Sequence, residues 1–360
     1  MRVLTVIGNR PQFVKAAAVS PLLRAEHEEV LVHTGQHYDD ELSGIFVREL
    51  GMPHPERELA IGGGTNTEQT ARMLAALGPL TAEVAPDVVL VYGDTNSTLA
   101  GGLAAAQAGV PVAHVEAGMR SFDRRMPEEL NRVLTDHLST LLLCPTPAAV
   151  ENLARESVAG AVELVGDVMA DVSGAVRPKA ADDPAPLARA GVAAGGYLLA
   201  TAHRAGNVDD PLRLAALVDL LLGAASDARP VVLPLHPRTR ARLEAAGLLG
   251  RLEGEPAVRL LPPLGYLEFT ALLVHAAAVL TDSGGVQKEA YLARVPCVTM
   301  RDTTEWVETV DAGWNVLVDL DAAAAARALA APEPQAHPEL YGDGRAGARV
   351  VAAVAALAGA

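Results

Sequence analysis

Residues 87–105, DVVLVYGDTNSTLAGGLAA, pass from a continuous apolar run through a polar turn into a small-residue helical segment. Val88–Tyr92 shows no alternation of apolar and polar residues, so it reads as a strand covered on both faces, the condition of a parallel sheet flanked by helices. Gly93 and Asp94 make the turn, and Thr95, Asn96 and Ser97 can cap the helix that follows. The same pattern recurs as RVLTVIG, EEVLVHTG, PVAHVE, TLLLC and VELVG in the first half, and as GYLLATAHR, RPVVLPLHP, AVRLLPP, AVLTDSGG, PCVTMRD and WNVLVDL in the second. Each run precedes a longer helix-like segment, which predicts an α/β protein of two doubly wound domains facing one another across a cleft. The Pro-, Gly- and Ala-rich stretch RPKAADDPAPLARAGVAAGG (177–196) reads as the connection between them.

The bulk properties narrow the function. A chain of 360 residues exceeds one comfortable core. Its net charge of −15 gives no electrostatic footprint for nucleic acid or an anionic membrane. No apolar run reaches the ~20 residues of a membrane span, and no cationic, apolar leader opens the sequence, so a cytoplasmic protein is expected. Cys144 and Cys297 each lie in an apolar run and are expected to be reduced core thiols.

Ligands of doubly wound sheets bind outside the carboxyl ends of the strands. At those ends stand Arg10 and Lys15, Asp94, Glu116 and Arg120, His203 and Arg204, His236, and Ser283 to Glu289. In TDSGGVQKEA (281–290), Ser283, Gly284 and Gly285 would open a helix whose first N–H groups face an anion. An ordinary N-cap would read the same way. Glu289 is placed to accept from vicinal sugar hydroxyls, against the alternative of a solvated helix face. A single histidine at a strand end is usually satisfied by a carbonyl, but His203 and His236 together beside Arg204 favour anion contact. No His, Cys or carboxylate set has metal-site spacing. The stretch HVEAGMRSFDRRMPEELNR (114–132) places Glu116 at a strand terminus and Glu128 with Arg132 at i, i+4 on a helix opened by Pro127. Arg124, Arg125 and Glu129 read as a solvated loop.

GNRPQFVK, TGQHYD, VYGDTNSTLAG, HVEAGMR, MPEELNR, TAHR, LHPR, TDSGGVQKEA, MRDTTEW and LYGDG, in this order from first strand to last helix, closely resemble the non-hydrolysing UDP-N-acetylglucosamine 2-epimerases. The resemblance implies two Rossmann-like domains in the glycosyltransferase-B arrangement. Residues 1–170 would form the first, joined by a C-terminal helix over 345–360, and residues 171–344 the second, UDP-binding domain. It implies interconversion of UDP-GlcNAc and UDP-ManNAc by elimination of UDP to 2-acetamidoglucal and re-addition with the proton on the other face of C2. C2–H is barely acidic, so stabilising the departing UDP is the main lever. The resemblance places Asp94, Glu116 and Glu128 in the acid/base machinery, with Lys15 and His203 in the catalytic set and Arg132 holding Glu128 ionised and oriented. Arg10, His203 and the Ser283-Gly284-Gly285 turn would hold the diphosphate, Glu289 the uridine ribose, and His236 and Phe269 complete the UDP-binding set. No cofactor and no metal are implied. The expected partner is a UDP-sugar substrate, with no nucleic acid and no membrane, in a homodimer.

The chain also departs from the family's pattern. Gly206 stands where many members have a Glu that helps bind an activating second UDP-GlcNAc, and Asp39 and Gly64 replace polar residues that resemble regulatory contacts. Gln36, His37 and Arg204 remain as a residual regulatory set, which predicts weak or absent allosteric activation. Trp306 replaces the Arg of TTERPE found in some members. The alternatives are a hydrolysing 2-epimerase releasing ManNAc and UDP, a glycosyltransferase, and a non-catalytic nucleotide-sugar binding protein. Neither of the last two has a use for three carboxylates. The sugar nucleotide could itself be a modified one, and the product could feed a surface polysaccharide or a secondary metabolite.

Overall fold

The computed structural model describes residues 1–36 and 49–357, with only the backbone at residue 10. His37, Asp39 and the Arg10 side chain therefore lie outside the described residues. The chain divides into two compact units, Met1–Gly174 with Glu339–Ala360, and Ala175–Pro338.

The first unit is built on a seven-stranded sheet of β1 (Arg2–Ile7), β2 (Glu28–His33), β3 (Arg57–Glu58), β4 (Val88–Tyr92), β5 (Val112–Val115), β6 (Leu141–Cys144) and β7 (Ala161–Leu164). The spatial order is β3-β2-β1-β4-β5-β6-β7 and every pair is parallel. Leu4, Val6, Val89 and Val91 pack on Met73 and Leu77 of the helix Asn66–Val84 and on Ala100 and Ala104 of the helix Asn96–Gln107. Gly101 permits this approach, since a Cβ there would lie 3.1–3.2 Å from Val91 and Val6. The helix Ala346–Leu357 packs on the helix Ser20–Glu26 and on β6. Asp171 holds its start by accepting from the backbone N–H groups of Ala346 and Gly347, at 3.1 and 2.7 Å.

The second unit has a six-stranded parallel sheet of β8 (Leu198–Thr201), β9 (Val231–Pro234), β10 (Val258–Leu261), β11 (Ala278–Thr281), β12 (Cys297–Thr299) and β13 (Asn315–Leu317), ordered β10-β9-β8-β11-β12-β13. Leu198 and Ala200 face one core with Leu217, Val231 and Leu280, while Leu199 faces the other with Tyr197, Val232 and Leu272. Burial on both faces is why the central strands β8, β9, β11 and β12 are largely apolar, while the edge strands β10 and β13 are partly exposed.

Two features differ from the sequence reading. Residues 177–196, read as the connection, contain helix that the sequence reading did not assign: the helix Val168–Ala181 runs through Pro178, and Ala185–Ala190 forms a second helix ended by Gly191 at φ 65°. Alanine, leucine and arginine favour helix strongly enough to outweigh the prolines, one of which sits in a first turn where it is tolerated. The two-residue strand β3 is exposed and carries no apolar signal. Cys144 and Cys297 are buried free thiols, each pushed up to about 12 by burial. Among the described residues no helix is long and apolar enough to cross a membrane.

Candidate active site

The strand order of the first unit reverses between β1 and β4, so the turns leaving these strands diverge and open a crevice. Gln12 laces the two turns together. Its side-chain carbonyl accepts from Gly8 N at 2.7 Å, and its amide donates to Tyr92 O at 2.7 Å and Thr98 Oγ1 at 2.9 Å. The helix Arg10–Ala17, capped by Asn9, carries Lys15 to an ion pair with Glu116 in which both side chains are only 10% exposed. This pair closes over Gly93, where an added Cβ would lie 2.9 Å from Lys15 Nζ and 3.3 Å from Glu116 Oε2. Glu116 itself adopts φ 72°, left-handed backbone that a residue with a Cβ adopts at a cost of about 1–3 kcal/mol. Its N–H is satisfied by Leu143 O at 3.0 Å.

Beside this pair, Asp94 is bound by Arg132, and its carbonyl accepts from Asn131 Nδ2 at 3.1 Å. Here the sequence reading needs correction. Arg132 pairs with Asp94 and, at 3.2 Å, with Glu129 at i, i+3, whereas Glu128 lies on the exposed side of the helix Pro127–Leu138. Glu129 is not part of a solvated loop either. It is 2% exposed and accepts from Ser121 N at 2.8 Å, Ser121 Oγ at 2.9 Å and Phe122 N at 3.0 Å. Arg124 and Arg125 are exposed, Arg125 paired with Asp123.

A buried network beneath these residues escaped the sequence reading. His114 bridges Asp136 Oδ1 and Gly93 O, each at 2.7 Å. Asp136 Oδ2 accepts from Arg120 at 2.7 Å and Gly118 N at 3.1 Å, and Arg120 forks onto Glu156 at 2.8 and 2.7 Å. Burial pushes the Asp136 carboxyl up, but hydrogen bonds and charge from His114 and Arg120 outweigh it and hold the group below its usual range. A fully buried histidine within the apolar run PVAHV was the available signal, because a polar group there needs a partner.

Gln36 accepts from Ser97 N at 3.1 Å and Ser97 Oγ at 2.7 Å, securing the start of the helix Asn96–Gln107. Gly64 has φ 86°, and a Cβ there would come within 2.8 Å of Glu68, whose carboxylate closes the capping box with Thr65.

In the second unit the order reverses between β8 and β11. The buried Asp282 ties the two exits by accepting from His203 N at 3.1 Å, Arg204 N at 3.0 Å and Asn207 Nδ2 at 3.3 Å. The rings of His203 and His236 stand 5.7 Å apart. His236 caps the helix Pro237–Ala245 by accepting from Arg238 N at its Nδ1, at 3.2 Å, which places the ring proton on Nε2. Ser283 is the N-cap of the helix Gly284–Leu292, with no side-chain cap bond. A Cβ on Gly284 would meet Glu305 and Trp306 at 3.4 Å. Glu305 is held between Arg204 at 3.1 Å and Arg301 at 2.9 Å; burial pushes its carboxyl up, but the two guanidinium groups outweigh that and keep it low. Trp306 lies under Lys288, whose Nζ is 4.2 Å from the ring centroid. Glu289 is half-buried, and Phe269 sits in the core with Tyr197 and Leu199 at 8% exposure.

The structure thus brings together Lys15, Asp94, Glu116 and Arg132 in one unit, and His203, Arg204, His236 and the Ser283–Gly285 turn at adjoining strand ends of the other. A family model described as UDP-N-acetylglucosamine 2-epimerase matches residues 22–355. A UDP-2,3-diacetamido-2,3-dideoxy-D-glucuronate 2-epimerase of Pseudomonas aeruginosa is 48% identical, over 99% of this chain and 100% of its own. A UDP-N-acetylglucosamine 2-epimerase of Methanocaldococcus jannaschii is 39% identical over 98% of each chain. Among solved structures, that of the M. jannaschii UDP-GlcNAc 2-epimerase in complex with UDP-GlcNAc and UDP matches with a TM-score of 0.91 at 38% identity, over 99% of this chain and 100% of that one. The Neisseria meningitidis UDP-GlcNAc 2-epimerase bound to UDP-GlcNAc matches with a TM-score of 0.88 at 29% identity, over 99% and 100%.

Proposed function

The chain belongs to the UDP-N-acetylglucosamine 2-epimerase family, and from that premise we propose that it inverts C2 of a UDP-activated 2-acetamido sugar by eliminating UDP and adding it back. The observation that carries this reading is the pair of carboxylates at neighbouring strand exits, Asp94 on Arg132 and Glu116 on Lys15. Inversion requires a proton to leave one face of C2 and arrive at the other, which two separately held carboxyl groups can do and one cannot easily do. Glu128, exposed at the start of its helix, is the third candidate.

A carboxylate alone is too weak a base for C2–H, so positive charge must develop at C1 as UDP departs. Within the second unit, His203, the Nε2 proton of His236 and the first N–H groups of the helix at Ser283–Gly285 are donors of the kind a diphosphate takes. Arg10 belongs to the same role, and Glu289 to the ribose. With Gly206 in place of an acidic side chain, activation by a second UDP-GlcNAc is weak or absent. A homodimer in the cytoplasm completes the reading.

UDP-GlcNAc and UDP-ManNAc form the first substrate pair. The second reading, UDP-2,3-diacetamido-2,3-dideoxy-D-glucuronate, is supported by the 48% identity along the whole chain to an epimerase of that sugar nucleotide. Incubating the enzyme with each sugar nucleotide and resolving the products by NMR separates the two. Release of the free 2-epimeric sugar with UDP would instead identify a hydrolysing enzyme.

A further inference from the structure

The side chain of His114 is completely buried in β5, yet neither ring nitrogen is spent on packing alone. Nε2 meets the carbonyl of Gly93, an acceptor only, at 2.7 Å. Nδ1 meets Asp136 Oδ1 at 2.7 Å, and Asp136 also takes Arg120 and the Gly118 N–H. Both ring nitrogens therefore act as donors, the arrangement of a doubly protonated imidazole. The Gly93 carbonyl belongs to the peptide that joins Gly93 to Asp94. On the other side of Gly93 lie Lys15 Nζ and Glu116 Oε2, within 2.9 and 3.3 Å of where its Cβ would be. One side chain thus grips the backbone between the two ion pairs of the site, from a network anchored on the helices Pro127–Leu138 and Pro147–Glu156 through Asp136 and Glu156.

We propose that His114 is a positioning residue for the epimerisation, fixing the Gly93–Asp94 peptide through a charged hydrogen bond so that Asp94 and Glu116 keep their separation. The inference rests on the reading under Proposed function for its catalytic consequence, but not for its hydrogen-bond content. Displacing a reacting group by about 1 Å costs on the order of 100-fold in rate. Because Nε2 reaches the carbonyl, a glutamine amide can replace that bond, whereas an asparagine amide reproduces only the position of Nδ1.

The test is to compare His114→Gln and His114→Asn for kcat, for KM and for C2–H exchange in deuterated water, alongside NMR of the protein with 15N-labelled histidine. The expected result is a fall of about 100-fold in kcat for His114→Asn at unchanged KM, recovered to within about 10-fold by His114→Gln. The labelled wild type should show two ring N–H protons for His114, both lost in either variant. Equal losses in the two variants, a loss carried by KM, or full activity in both would overturn the proposal. A single ring N–H would overturn it too, in an experiment that needs no substrate. Wild-type protein that exchanges and epimerises neither sugar nucleotide but shows both ring protons would count against the proposed function and leave the hydrogen-bond assignment standing.

Discussion

Lys15 and Glu116, 101 residues apart in sequence, form an ion pair across Gly93, at a point where any side chain on residue 93 would come within 2.9 Å of the lysine nitrogen. Lys15 arrives on the helix that follows β1, and Glu116 from the turn that leaves β5. The pair exists because residue 93 has no Cβ, and Gly93 at φ 63° also occupies left-handed backbone.

Gly93→Ala should accordingly be damaging out of proportion to its size. A left-handed alanine costs about 1–2 kcal/mol, readable by urea unfolding. Displacing Lys15 should reduce C2–H exchange by about 100-fold, readable by NMR. Wild-type turnover in a correctly folded variant would show that the contact is unimportant.

Two adjacent glutamates should behave oppositely. Glu129→Ala leaves the N–H groups of Ser121 and Phe122 without their acceptor and Arg132 with Asp94 alone, and should lower unfolding free energy by about 1–3 kcal/mol. Glu128→Gln changes an exposed group and should stay within about 0.5 kcal/mol of wild type while impairing turnover, if Glu128 handles a proton. Denaturant titrations of the two variants, with activity measured on each, check both halves. A destabilised Glu128→Gln would contradict the exposed position of Glu128 on its helix.

The buried Asp136 makes a statement about acid. Its carboxyl is held below the ordinary range because His114 and Arg120 outweigh the effect of burial. A carboxylate with a depressed folded value stabilises the protein fully above its unfolded value near 3.9 and loses that contribution as pH falls through the lower folded value. The gap in stability between wild type and Asp136→Asn should shrink as pH falls below about 4. Unfolding curves collected across that range would show it; a gap that widens on acidification contradicts the assignment.

Cys144 and Cys297, with thiols pushed up to about 12, should resist a thiol reagent at about pH 8 in the native protein and both react once it is unfolded. A chromogenic disulfide reagent measures this directly. Rapid labelling of either thiol in the folded state would show it to be accessible.

Residues with a strong local signature were legible in the sequence. Every continuous apolar run became a parallel strand, the central ones buried on both faces, and the strand-end rule then located Lys15, Asp94, Glu116 and His203. Helical phase was less legible. The charges of Glu128, Glu129 and Arg132 permit pairing at i, i+4 or i, i+3, and the choice falls to which face of the helix meets the loop at Ser121 and Phe122, a tertiary fact. The bond between His114 and Asp136 stayed hidden for a related reason: a histidine in the run PVAHV signals that it needs a partner, but the partner lies 22 residues away. The helices within 177–196 were masked by prolines, of which Pro186 sits in a first turn while Pro178 lies inside the helix Val168–Ala181.

The central claim is that Asp94 and Glu116 move protons at C2 of a UDP-activated 2-acetamido sugar. The direct measurement is an NMR time course of wild type, Asp94→Asn and Glu116→Gln with UDP-GlcNAc, and with UDP-2,3-diacetamido-2,3-dideoxy-D-glucuronate, in deuterated water. Wild type should form the C2 epimer with deuterium at C2 and no free sugar from one of them, while both variants fold and lose exchange. Undiminished exchange in either variant, or a wild type that leaves C2 untouched in both substrates, would contradict it.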